Sequence, residues 1–209
     1  MNQVQSLAQA DLLRQVLHEV ETAQVTVAGD SMSPLLRRGD RIGLRRVDVT
    51  QIQPGQVVTF ADPLAEDTLL THRIVAVQQT NGAATALLAR GDRSLVFDAL
   101  VSPEQVIGLV QWRQRDGRIL RLDSGAGAWL SAQLGHLAEG ERRLTTGVAL
   151  PPGMPPADLL VEADIQSRRR IAAPWVRGLR LGSRGLSTVL SYLVSWLAGA
   201  PSDPALLEL

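Results

Sequence analysis

The sequence is 209 residues long, 22.5 kDa. That suits one medium domain or a domain with an appendage, and it buries roughly 70% of its unfolded surface without staples. It contains no cysteine, and all 21 of its basic residues are arginine. Disulfides, Cys-zinc sites, iron–sulfur clusters, thiol nucleophiles, Schiff bases and serine–lysine dyads are therefore excluded. The 21 acids bring the formal net charge to zero, so no global field favours nucleic acid.

Residues 1–24 have no basic start and no apolar run, so they make neither a signal peptide nor an anchor. Leu7, Leu12, Leu13, Val16, Leu17 and Val20 recur at helical spacing and predict an N-terminal amphipathic helix. From residue 25 to about 123 the texture changes. Short β-favouring runs at 25–28, 41–47, 56–61, 69–79, 85–90, 105–112 and 118–122 alternate with Gly-Asp, Pro-Gly, Asn-Gly and Asp-Gly turns. This pattern predicts a mainly β, antiparallel, barrel-like or sandwich domain. Residues 124–209 form a mostly helical C-terminal extension, with helices expected over 128–138, 157–171 and 186–200 and a proline-rich loop at 151–156.

The extension holds six arginines and no acid between residues 165 and 185. Ser187, Ser191, Ser195 and Gly199 then recur every fourth residue, with Leu186, Leu190, Leu193 and Leu197 on another face. Two readings stand open. The helix packs on its own domain or a dimer mate, or residues 165–200 make a peripheral contact with anionic lipid.

The densest local signal is Gly29-Asp30-Ser31-Met32-Ser33-Pro34-Leu35-Leu36-Arg37-Arg38-Gly39-Asp40. Ser33 followed by Pro34 reads as the cap and first residue of a short helix, with Gly39 as its stop. Ser31 would then lie at a strand-to-helix corner, facing exposed N–H groups suited to an oxyanion. The plain alternative is a capped turn with two serines. A serine hydroxyl needs a base. Without lysine the candidates are His18, His72, His136 or a carboxylate shifted far from its usual range.

The Gly-x-Ser-Met-x-Pro-x-Leu-x-x-Gly-Asp box resembles the nucleophile box of the signal peptidase I superfamily. Pro54-Gly55-Gln56-Val57-Val58-Thr59-Phe60 is similar to the strand that follows it there. Thr71-His72-Arg73-Ile74-Val75, then Ala89-Arg90-Gly91-Asp92-Arg93, then Asp98, resemble the histidine branch found in the endoplasmic reticulum and in archaea. Val106-Ile107-Gly108-Leu109-Val110 is similar to the closing strand. The resemblance covers about residues 25–112, with the boxes in order. It implies a serine endopeptidase with Ser31 as nucleophile, His72 as general base and Asp98 as the residue orienting it. Asp92 is implied as a supporting or alternative acid. The implied substrate is a leader, signal or maturation peptide with small residues before the cut, with no metal or organic cofactor. Two departures are Arg93, where relatives carry Asn, and Gly29, where many carry a hydroxyl residue.

Asn81-Gly82 predicts a two-residue hairpin turn. That register sets His72 against Gly91 and brings Asp92 and the loop to Asp98 beside the imidazole. It also sets Arg73 against Arg90, a like-charge pair that disfavours it. Lacking an export signal or N-terminal span, the chain is expected in the cytoplasm or peripherally on the inner membrane face. The alternative reading is a non-catalytic peptide-binding or assembly module on the same fold.

Overall fold

The computed structural model describes residues 3–80, 83–94, 97–146 and 174–197. Helix α1 (Gln3–Val20) leads into β1 (Thr22–Thr26), β2 (Arg41–Arg45), β3 (Val57–Asp62), β4 (Ala65–Thr80), β5 (Ala83–Arg90), β6 (Val106–Arg115) and β7 (Arg118–Arg121). Helices α2 (Gly125–Thr146) and α3 (Pro174–Leu197) follow. Seven strands are present as expected, the first displaced to Thr22–Thr26 from the expected 25–28. The N-terminal helix stops short of residue 24 because Glu21 adopts a left-handed backbone, φ 60°, after which Thr22 opens β1. The helix expected over 157–171 lies outside the described residues.

The strands form one antiparallel sheet in the order β1-β2-β6-β3-β4-β5, with β7 added to the far end of β6. The sheet is not closed. β1 is hydrogen-bonded to β2 alone, and β5 begins to pair with β4 only at Arg73. Among the strand edges left open are the outer side of β1 and the first half of β4.

Both faces of the central strands are buried, so β3 is buried at five successive positions, Thr59 included, rather than at alternate ones. On one face Leu17 of α1, Leu35, Leu36, Ile42, Leu44, Val57, Leu130 and Leu134 of α2, and Val194 of α3 share a core. On the other face Ile52, Val58, Phe60, Ile74, Leu87, Val101 and Leu109 make a second. Each such side chain contributes about 1.5–3 kcal/mol by leaving water. Helices α2 and α3 close the first core. Gly135 lets α2 approach closely, as a Cβ there would lie 2.4 Å from the Gly55 Cα.

The β4–β5 register matches the hairpin expectation at both ends, with Thr80 opposite Ala83 and Arg73 opposite Arg90. Two intervening irregularities cancel. The like-charge pair is real, and a carboxylate for each arginine offsets it. Arg73 takes Asp92, at 2.7 Å. Arg90 takes Glu141 on α2, at 3.0 Å.

Candidate active site

Ser31 lies in the loop between β1 and β2, which is pinched at its base by Val27 N–H to Asp40 C=O (2.8 Å) and Gly39 N–H to Val27 C=O (2.9 Å). The short helix predicted after Ser33 does not form. Residues 31–36 run through turns, and the Ser33–Pro34 peptide is cis. Several backbone groups that a longer helix would pair internally are engaged elsewhere. Arg115 donates to the carbonyls of Pro34 and Leu35 (3.2 Å each), and Arg113 also donates to Leu35 (3.2 Å). The Arg37 N–H goes to Asp40 Oδ2 (2.7 Å) and the Arg38 N–H to Asp30 Oδ1 (3.1 Å). Arg115 also grips the buried Asp40 carboxylate through two bonds of 2.7 and 2.6 Å. Burial, with Arg115 alongside, pushes the Arg113 guanidinium down to about 10. Met32, Leu35 and Leu36 are buried below, so apolar anchors and strand arginines fix this loop around one helix-type bond, Leu36 N–H to Met32 C=O at 3.0 Å.

Ser31 itself stays exposed, with its Oγ 2.9 Å from His72 Nε2. His72 is buried on β4, and its Nδ1 lies 2.6 Å from Asp98 Oδ2. A carboxylate can only accept, so Nδ1 carries the proton and Nε2 is left to accept from the serine hydroxyl. Phe60 meets the imidazole edge-on at 6.2 Å. Asp98 is placed by its own backbone, N–H to Ala89 C=O at 2.9 Å, on a segment that continues to the Leu87–Val101 bridge along β5.

Asp92 sits elsewhere. Both of its oxygens accept from Arg73, at 2.8 and 2.7 Å, and Arg73 also donates to the Gly55 carbonyl at 2.6 Å. Arg73 is 1% exposed, and it ties β4, the turn before β3 and the Asp92 loop together next to His72. The Arg93 N–H then bonds the Ser31 carbonyl at 2.7 Å. Gly91 is required for close approach: a Cβ there would sit 3.1 Å from Ser31 Cβ and 3.2 Å from His72 Nε2.

The structure therefore brings Ser31, His72 and Asp98 into one hydrogen-bonded chain and sets Asp92 on Arg73. His18 and His136 are exposed on α1 and α2, outside this chain. Arg73, Asp40 and Arg115 escaped sequence reasoning as site residues. For Arg73 the one available signal was its forced position opposite Arg90.

The site opens into a cleft of about 740 Å³. Ala23–Gly29 and Thr68–His72 line it, together with Gln9, Leu12, Leu13 and Val16 of α1. The open edges of β1 and β4 thus flank a groove that leads to Ser31. Among the described residues the Ser31 and Met32 N–H groups have no acceptor. No protein-family model and no curated protein matches the chain.

Proposed function

We propose that the chain is a serine endopeptidase of the signal peptidase type, with Ser31 as nucleophile, His72 as general base and Asp98 as its orienting partner. The observation carrying this reading is the 2.9 Å and 2.6 Å relay from Ser31 Oγ through His72 to Asp98. Ser31, His72 and Asp98 are also the positions on which the resemblance to the signal peptidase I superfamily centres.

In this reading Ser31 Oγ attacks a peptide carbonyl while its proton passes to His72 Nε2. Asp98 accepts from Nδ1–H and stabilises the imidazolium. The free N–H groups of Ser31 and Met32 serve the developing oxyanion, a role worth about 3 kcal/mol per donor. His72 then gives its proton to the leaving amine. Water, deprotonated by the same imidazole, releases the acyl group from Ser31. The substrate is an extended leader, signal or maturation peptide with small residues before the cut, which adds as a strand in the β1–β4 groove.

A fluorophosphonate probe tests the reading directly. Wild type is labelled, Ser31→Ala is not, and His72→Ala is labelled about 10²–10⁴-fold more slowly. Equal labelling of wild type and Ser31→Ala overturns it. Peptide affinity that survives intact in both variants, with no cleavage by wild type, assigns the fold to a binding module instead.

A further inference from the structure

Helix α3 faces the wrong way for a helix meant to end at water. Ser191 and Val194 are buried, Ser187 is half-buried, and the Ser183 hydroxyl donates to Glu141 of α2 at 3.3 Å. The serine side therefore packs on the domain. At 100° per residue the opposite face carries Leu181, Gly182, Gly185, Leu186, Val189, Tyr192 and Leu193, and all seven are exposed. Leu181 is 68% exposed, and Val189 and Tyr192 are each 54% exposed. No charged residue interrupts this face. A helix lying on a water-soluble domain turns its polar side outward, and a continuous exposed apolar strip marks an interaction surface.

Charge identifies what covers it. Pro174–Leu197 contains three arginines and no acid, and the preceding residues 168–170 are three more arginines, although the whole chain is neutral. At the other end of the strip Arg37 places its guanidinium 5.2 Å from the Tyr192 ring and donates to the Tyr192 hydroxyl. A second copy docking through α3 would bring the same arginines and no acid of that helix to meet them. An anionic lipid surface offers hydrocarbon to the leucines and a negative field to this wholly basic helix and to Arg37 at its rim. Among the described residues no helix is long and apolar enough to cross a membrane, so the geometry is that of a helix lying in the interface plane.

We propose that the outer face of α3 docks shallowly into an anionic lipid surface. The proposal stands independently of catalysis, yet it has a consequence for the site. Arg184 on α3 donates to the Arg93 carbonyl, and Tyr192 holds Arg37. The membrane-facing helix thus touches both the Asp92 loop and the Ser31 loop, so docking holds the groove near the lipid headgroups.

Co-sedimentation of the full chain with vesicles tests this, using about three parts phosphatidylcholine to one part phosphatidylserine, against phosphatidylcholine alone. Wild type binds the mixed vesicles, binds the neutral ones at least about tenfold more weakly, and loses affinity as salt rises. Val189→Glu and Leu186→Glu, both on the exposed face, melt like wild type and bind at least about tenfold more weakly. Ser31→Ala binds like wild type, which separates this result from any failure of the peptidase reading. Absence of wild-type binding at low salt overturns the proposal, as does equal binding by the two glutamate variants. So does a wild-type dimer that Val189→Glu dissociates without any vesicle binding, which assigns the face to a second copy.

Discussion

Asp92 and Asp98 occupy one short loop, yet the side chains they hold differ in kind. Asp98 faces the His72 imidazole, the base of the proposed reaction, whereas Asp92 faces the buried Arg73 guanidinium. Substitution by asparagine separates the two. Asp98→Asn keeps the shape but presents an amide whose N–H can face Nδ1 and hold the wrong His72 tautomer, so the labelling rate falls by about 10⁴-fold with the melting temperature nearly unchanged. Asp92→Asn leaves Arg73 as an uncompensated buried charge and costs about 3 kcal/mol of stability, read as a lowered urea midpoint. Its effect on rate follows indirectly, through the Arg93 N–H that holds the Ser31 carbonyl. If the two variants exchange phenotypes, the assignment of Asp98 to His72 is wrong.

Among the elements, the strands were legible because turn chemistry and β-branched runs are local signals. The Ser33-Pro34 signal was also local and misled. It reports what the segment prefers in isolation, whereas Arg113 and Arg115 arrive from a strand some eighty residues downstream to take the carbonyls at Pro34 and Leu35. Helix α2 shows a similar economy of arginine. Burial raises the Glu139 carboxyl, but hydrogen bonds from Arg142 and Arg143 win and hold it below its ordinary value of 4.5. A carboxyl depressed on folding adds stability that is complete above about 4.5 and vanishes as pH falls through the lowered value. Glu139→Gln therefore melts below wild type at neutral pH, and the gap closes on acidification towards pH 3. A gap that stays constant across that range would show that Glu139 acts through packing alone. The orientation of α3 was not legible either, since its periodicity gives two faces and only tertiary contact says which is inside.

At the scale of the whole molecule, the grouping of Ser31, His72 and Asp98 was readable because each sits in or beside a short local pattern, while the open sheet was not. Closure depends on how far β1 lies from β4, a distance no local pattern encodes. Yet openness is what makes the groove, and the β1 register says which backbone groups face it. Val27 and Glu21 bond to the β2 side, at Asp40 and Arg46, so by alternation Ala23 and Val25 do likewise and Gln24 and Thr26 turn their N–H and C=O to the open edge. A peptide added as a strand would use those groups. Proline can stand on an edge strand where its missing N–H faces outward, and not where the ladder needs it. Thr26→Pro therefore folds, and for any peptide the wild type cleaves it raises KM while kcat changes little, because the lost hydrogen bond serves ground state and transition state alike. Val25→Pro removes a β1–β2 bond and lowers the melting temperature instead. Should Thr26→Pro leave KM unchanged, the peptide does not run along β1, and the cleft must be entered from the β4 side.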